Sequence, residues 1–254
     1  MGKTRFCAYV LQRRKRCGEA EAKNWEGQMI EQLKKTSGET AAKRIQKGQR
    51  IGLGTGSTVR YFLEALSRRL ASNELSDIVG VPSSQKTEIL ARSLDIALTT
   101  LEIEPDLDLY VDGADEVDPQ LNLIKGLGGA LLREKIVSLA SRHFIVIIDN
   151  SKLVRQLGQR SPVPVEVLPF GWKATAEKIK AFGGKPTLRI DNDVPYITDQ
   201  GNHILDCHFG PIQDAERLAQ QLDSIPGALG HGLFLNIANE VIVGTPSGVN
   251  VITR

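Results

Sequence analysis

Hydrophobic positions along this chain keep two alternating rhythms. In "STVRYFLEALSRRL" the apolar Val59, Phe62, Leu63 and Leu66 recur at helical spacing, and the short apolar run "RIGLG" just before it reads as a strand. The alternation continues. "MIEQLKKTSGETAAKRI" predicts a helix, "DIVGVP" a strand, and "SSQKTEILARSL" a helix capped by Ser83 or Ser84. After "DIALTTL" come the strand "DLDLYVD", a helix within "GALLREKIVSLASR", and "HFIVIIDNS", whose run "FIVIID" is apolar on both faces. Strands separated by helices of ten or more residues predict βαβ units on a parallel sheet, and a continuous apolar run predicts a central strand covered on both faces.

Beyond Lys152 the rhythm changes. "VPVEVLP" predicts a strand, "WKATAEKIKAF" a helix, and "KPTLRI" and "YITDQGNHILDCHF" two strands, the latter with a hairpin at Asp199–Asn202. "QDAERLAQQL" predicts a helix and "GALGHGLFLN" a last strand, so the order is βαββαβ, a ferredoxin-like α+β unit. "EVIVGTPSGVNVI" is too short to stand alone and is expected to return to the first unit. The expected organisation is a basic, disordered extension over 1–27, a parallel-sheet α/β unit over 28–157 and 237–254, and a smaller ferredoxin-like unit over 158–236.

Composition changes this picture little. The 254 residues are 41% hydrophobic and 24% charged, ordinary for a globular chain. The net charge of +2 is unevenly spread: the first 27 residues hold seven basic side chains against three glutamates, leaving 25 basic and 27 acidic residues in the body. Such a body lacks the field that holds a nucleic acid backbone. No apolar run approaches the ~20 residues that span a bilayer. The first sixteen residues, with six basic and no acidic side chains, have a transit-peptide profile, but are read here as an unstructured start. Cys7, Cys17 and Cys207 form no framework, so a reducing cytoplasm is expected.

Three stretches bear chemistry, each at the carboxyl end of a strand, where parallel sheets place ligands. "GLGTGST", Gly52 to Thr58, joins a strand to a helix. Its glycines, the helix-start N–H groups and the hydroxyls of Ser57 and Thr58 suit an anion, though a tight βα turn would use the same residues. Ser57 stands where a dinucleotide fingerprint needs its third glycine, and no Walker lysine follows. "DGADEVD" puts four carboxylates into seven residues. A metal site, acceptors for a polyol's hydroxyls and a polar turn around Gly113 all remain open, metal being the weakest because neither a calcium loop nor a histidine pair accompanies the acids. "KGLGG" then precedes a helix on which Leu132, Ile136, Leu139 and His143 or Ala140 share a face and are expected inside. That turns Glu134 to the opposite side, above the sheet edge, where a first-turn glutamate would also simply offset the helix dipole. His203 and His208 lie on opposite sides of their strand, which argues against zinc there.

"GLGTGST", "DGADEVD", "IKGLGGALLREKIV", "SKLV" and the terminal "VGTPSGV" together resemble the type A ribose-5-phosphate isomerases, over residues 28 to 254. The resemblance implies a Rossmann-like parallel-sheet domain carrying a smaller ferredoxin-like one, and cofactor-free, metal-free interconversion of ribose 5-phosphate and ribulose 5-phosphate through an enediolate. It implies Glu134 as the base moving a proton between C2 and C1, Lys125 with Asp112 beside it at the oxyanion, and Asp115 on hydroxyls. Thr55, Gly56, Ser57, Thr58, Lys152 and Lys34 would grip the phosphate, and Gly113, Ala114, Gly126, Leu127 and Gly128 complete the substrate site. A homodimer or homotetramer is implied as well.

The residues agree with that chemistry: an aldose–ketose isomerase needs one base for adjacent carbons and a donor for the oxyanion. The helix start and Lys125 should lower the pKa of Glu134, and burial under a sugar should oppose them. Leu127 departs from the family's glycine run. If that position needs positive φ, leucine is costly there; otherwise its side chain would crowd the sugar. The competing reading is a non-catalytic sugar-phosphate sensor. Retention of Glu134, which binding alone does not need, favours the enzyme. The spacing of Asp112, Asp115, Lys125 and Glu134 speaks against a deaminase or acyl transferase, and the failed fingerprint against a dinucleotide oxidoreductase.

Overall fold

The computed structural model describes the backbone of residues 19–254 and side chains from residue 24. The first sixteen residues, Cys7 and Cys17 lie outside the described residues. Helix α1 begins at Glu19, inside the stretch 1–27 expected to be an extension, and runs to Ala42. It presents Leu33, Ser37, Ala41 and Ala42 inward at helical spacing, which docks it on the sheet.

The first sheet is built from β1 (Arg50–Leu53), β2 (Val79–Pro82), β3 (Leu109–Asp112), β6 (Phe144–Asp149), β14 (Glu240–Thr245) and β15 (Gly248–Thr253). Its spatial order is β15-β14-β6-β3-β1-β2, parallel except for the β14–β15 edge pair. The C-terminal segment thus returns to the first sheet. Helices α2 (Ser57–Ala71), α3 (Gln85–Ser93) and α4 (Leu131–Leu139) connect the strands. Ser84 is the N-cap of α3, its side chain accepting from Thr87 N–H. Strand β6 explains itself: Ile145 and Ile147 enter one apolar core, while Phe144, Val146 and Ile148 enter the other. Both faces are covered, so positions 144–148 are apolar, and the buried Asp149 at the strand's end accepts from Ser151 N–H to start the 3-10 turn that follows.

The second unit contains β7 (Val163–Val167), α5 (Trp172–Ala181), β8 (Lys185–Leu188), β11 (His203–His208), α6 (Ala215–Asp223) and β12 (Ala228–His231). Its antiparallel sheet runs β12-β7-β11-β8, the ferredoxin-like order. A separate core of Val163, Val165, Val167, Ile179, Leu205, Leu218 and Leu222 lies beneath α5 and α6. The hairpin expected at Asp199–Asn202 is displaced. The paired strands β9 (Ile190–Asp191) and β10 (Val194–Pro195) turn at Asn192–Asp193, where φ is 48° and 65°. Asparagine and aspartate tolerate that left-handed backbone best after glycine. Residues 198–202 make a tight turn, but no strand leads into it.

The last predicted strand is also divided. It breaks at Gly232, whose N–H donates to Pro164 O and whose carbonyl accepts from Lys125 N–H. Beyond the break, β13 (Leu233–Phe234) joins β5 (Leu123–Ile124) and β4 (Glu116–Val117) in a small sheet of its own. That sheet ties the acidic stretch to the second unit. Among the described residues no helix is long and apolar enough to cross a membrane.

Candidate active site

The chain runs from β1 outward to β2, then crosses back to β3, so the order reverses between β1 and β3. A crevice opens at such a switch point beyond the carboxyl ends of the strands. Glycine makes the approach possible here: a Cβ on Gly54 would collide with the Asp112 carboxylate. Gly56, with φ of 129°, swings the chain into α2. No side chain caps α2 and no acid occupies its first turn, so the N–H groups there face the cleft with their partial positive charge exposed.

The cleft measures about 140 Å³ and is lined by Lys34, Thr55, Gly56, Ser57, Thr58, Gly113, Ala114, Asp115, Lys125, Gly126, Gly128, Glu134 and Lys152, with Val59 added. Residues 79 positions apart in sequence, Thr55 and Glu134, therefore share one wall system. Lys152 arrives on the 3-10 turn after β6, and Lys34 from α1, where it also pairs with Glu31 at 2.7 Å. Thr55 turns its hydroxyl away, into a cluster with Ser83, Ser84 and Thr87, and gives its N–H to Asp112. Two expected members do not line the cleft: Asp112 and the Leu127 side chain.

Asp112 lies beneath the floor, fully buried. Its Oδ1 accepts from the N–H groups of Thr55 and Gly113 at 2.9 and 2.7 Å. Its Oδ2 accepts from the Tyr110 hydroxyl and from Lys125 Nζ, the latter at 2.8 Å. Asp112 stands beside Lys125, as the resemblance implied, and holds it from below. Lys125 Nζ also donates to Gly113 O at 2.6 Å, lies 3.2 Å from Glu134 Oε2, and sits 5.5 Å from the centre of the Phe234 ring. Burial disfavours the ammonium, but Asp112 and Glu134 outweigh burial and hold its pKa above the usual lysine value.

Glu134 requires the main correction. Helix α4 buries Leu131, Glu134, Val137 and Ser138, and leaves Ile136 and Leu139 half or more exposed. The expected inward and outward faces are exchanged. Val137 of α4 enters the core on the first sheet with Tyr110 and Phe144, while the second unit's sheet packs beside the helix, with Gly230 of β12 close enough that a Cβ would touch Leu132. The Lys125 contact is an ion pair without hydrogen-bond alignment, so Glu134 Oε2 is buried without a hydrogen-bond partner. Burial raises the pKa to about 8, with Asp112 adding to the rise and Lys125 opposing it. Here the protein alone supplies the burial, which was expected only under a bound sugar.

Of the four acids of "DGADEVD", only Asp115 lines the cleft. Its Oδ2 accepts from Leu127 N–H at 3.0 Å, and burial raises its pKa against that bond and the charges of Lys125 and Lys152. Glu116 points the other way and accepts three backbone N–H groups, from Gly158, Arg160 and Ser161, at 2.6 to 2.7 Å. Asp118 closes its own turn through the N–H groups of Gln120 and Asn122. Leu127 does not adopt positive φ; Gly126 and Gly129 do, at 103° and 85°. The leucine is 42% exposed and outside the cleft lining, so it neither strains the run nor crowds the site. Sequence reasoning missed Tyr110 and Phe234. The period of two along β3 could have flagged Tyr110, two positions before Asp112 and so on its face.

A doubly wound α/β sheet whose switch-point cleft joins an uncapped helix start to a buried glutamate–lysine–aspartate cluster defines the class: a protein built to seat a small anionic ligand against an acid–base pair. This chain belongs to the ribose 5-phosphate isomerase A (phosphoriboisomerase A) family, whose model matches residues 79–248. Ribose-5-phosphate isomerase A of Roseiflexus castenholzii is 50% identical over 217 residues, covering 85% of this chain and 93% of that protein. Its counterpart in Thermococcus kodakarensis is 44% identical over 89% of this chain and 99% of its own length. Among solved structures, a D-ribose-5-phosphate isomerase in complex with phospho-erythronic acid superposes with a TM-score of 0.87 at 46% identity, covering 89% of this chain and 99% of that one. The ribose 5-phosphate isomerase of Plasmodium falciparum does so at 0.86 and 40%, with the same coverage.

Proposed function

We infer that this chain is an aldose–ketose isomerase interconverting D-ribose 5-phosphate and D-ribulose 5-phosphate, a step of the non-oxidative pentose phosphate pathway. One observation carries the mechanism: Glu134 Oε2 is buried, has no hydrogen-bond partner, and lies 3.2 Å from the Lys125 ammonium. A free carboxylate oxygen beside a fixed cation is what proton transfer next to a carbonyl requires.

The phosphate sits on the exposed N–H groups and hydroxyls of Ser57 and Thr58, with Lys34 and Lys152 adding charge. Asp115 accepts from sugar hydroxyls. Ionised Glu134 removes the proton from C2 of the open-chain aldose, and the electron pair moves onto the carbonyl oxygen at C1. Lys125 stabilises the resulting enediolate. Glu134, now protonated, returns its proton to C1, while the proton of the C2 hydroxyl passes to the C1 oxygen, completing the ketose. Asp112 is a positioning residue, because both its oxygens are already engaged beneath the floor. The ligand of the solved relative supports this reading: an erythronic acid phosphate ends in a carboxylate whose paired oxygens imitate those of an enediolate. The Lys125 ammonium already occupies the place between Asp112 and Glu134 where a cation would balance their charge.

The same proposal includes a catalytic unit of residues 28–157 and 237–254 and a capping unit of 158–236, supported by the sheet each strand joins. It also includes assembly as a homodimer or homotetramer in the cytoplasm, carried by family membership. The test is conversion of ribose 5-phosphate in the presence of a chelator, by the natural chain and by Glu134→Gln. Turnover that survives chelation and collapses in the variant is expected. A natural chain that binds ribose 5-phosphate without converting it would return the sensor reading.

A further inference from the structure

Arg189 is far from the reacting groups in sequence and belongs to the second unit, just beyond β8, yet its guanidinium reaches the glycine run of the cleft. Nη1 donates to Gly126 O at 3.1 Å and to Leu127 O at 3.2 Å. The other side of the fork is held by Asp206 of β11, which accepts from Nε at 2.9 Å and from Nη2. The side chains of both are largely covered, 13% and 23% exposed. A planar fork gripping a carboxylate with two nitrogens has little freedom to turn, so Nη1 is aimed, not merely near.

The consequence for the cleft follows from peptide geometry. Among the described residues every peptide is trans, and in a trans peptide C=O and N–H point in opposite directions. Drawing the carbonyls of Gly126 and Leu127 onto one guanidinium therefore turns the N–H groups of Leu127 and Gly128 the other way. The first of these meets Asp115 Oδ2 at 3.0 Å, fixing the acid that faces the sugar. The second belongs to a residue that lines the cleft. Tyr196, whose ring lies 5.7 Å from the Arg189 guanidinium carbon, brackets the far end: its hydroxyl is so close to Gly129 that a Cβ there would collide with it. Positive φ at Gly126 and Gly129 makes the run pliable without such anchors.

We propose that Arg189, aimed by Asp206, is a positioning residue for substrate binding: it sets the peptide planes of residues 126–128 and so the hydroxyl-binding wall of the cleft. The inference rests on the isomerase reading and adds to it a role for the second unit. Because the wall contacts substrate and transition state alike, its loss raises KM more than it lowers kcat.

The experiment is steady-state kinetics with ribose 5-phosphate on the natural chain, Arg189→Ala, Arg189→Lys and Asp206→Asn, below the melting temperature of each. Arg189→Ala is expected to raise KM about tenfold or more while kcat falls less than about threefold, since small misplacements of binding groups cost on that scale. Millimolar guanidinium should restore KM by filling the vacated slot, and equimolar ammonium should not. Arg189→Lys and Asp206→Asn should fall between. Natural KM in folded Arg189→Ala would overturn the proposal, leaving Arg189 as a brace between units that moves only the melting temperature. If Arg189→Ala does not fold, the KM of Asp206→Asn decides in the same way. Absence of turnover in the natural chain would instead overturn the isomerase reading.

Discussion

Glu134 and Glu116 are both buried to within 2% of complete enclosure, and both belong to the same 25-residue stretch. Their surroundings are opposite. Glu116 is surrounded by three backbone N–H groups that saturate it and pin the 158–161 loop. Glu134 has one oxygen with no hydrogen bond at all and a lysine that approaches off-axis. A saturated carboxylate stabilises a fold. An unsaturated one costs stability and is left able to accept a proton. Burial alone therefore identifies neither role; what identifies it is how many donors surround the acid.

The widest separation of the two should come from paired substitutions. Glu134→Gln is expected to lower kcat by about 10²–10⁴-fold, the usual contribution of a positioned acid–base group, with ribose 5-phosphate still binding by calorimetry. Glu116→Gln should do the reverse. Its amide nitrogen would oppose a backbone donor, costing about 3 kcal/mol and lowering Tm by roughly 5–10 °C, while the folded enzyme keeps its natural kcat. Equal effects of the two substitutions on turnover would remove the distinction between them.

A smaller effect is the pH dependence. Glu134 must be ionised to act, and burial first of all has raised its pKa to about 8. Log kcat/KM should therefore rise with pH through an apparent pKa near 8 and level off above it, a limb that a rate profile flat between pH 6 and 9 would exclude.

The last effect is on stability and leaves turnover aside. The pKa of Glu134 is raised on folding, so the folded chain holds that proton more tightly than the unfolded one. The cost of burying the charge is absent below the unfolded value of 4.5, grows as pH rises, and is complete above about 8. Glu134→Gln removes that cost and leaves Lys125 its bond to Asp112. Its Tm relative to the natural chain should climb by roughly 5–15 °C between pH 5 and 8.5, and a difference that stays constant with pH would contradict the assignment.

Much of this was legible in the residues. The helix α2 behind "GLGTGST", the apolar run 144–148 of β6 and the βαββαβ order follow from local periodicity, which depends on near neighbours in the chain. The cleft lining was nearly all legible too, because anion-binding turns advertise themselves through glycines and hydroxyls at strand ends. The hairpin was placed wrongly because "DQGN" carries a stronger turn signature than "DNDV", and only strand pairing chose between them. The face of α4 was misread for a related reason: Leu132, Ile136 and Leu139 form a sound apolar stripe, yet tertiary packing buries Leu131, Glu134 and Val137 instead.

The amino-acid order by itself determined the elements, the two units and the set of residues able to do the chemistry, since backbone propensity and side-chain type are local properties. Tertiary structure alone decided which of four neighbouring acids face the cleft, that Asp112 lies beneath Lys125, that Leu127 needs no left-handed backbone, and that Arg189 reaches the glycine run. Each of those outcomes depends on what a distant segment brings within about 3 Å, where desolvation and hydrogen bonding set a group's charge and its freedom to react.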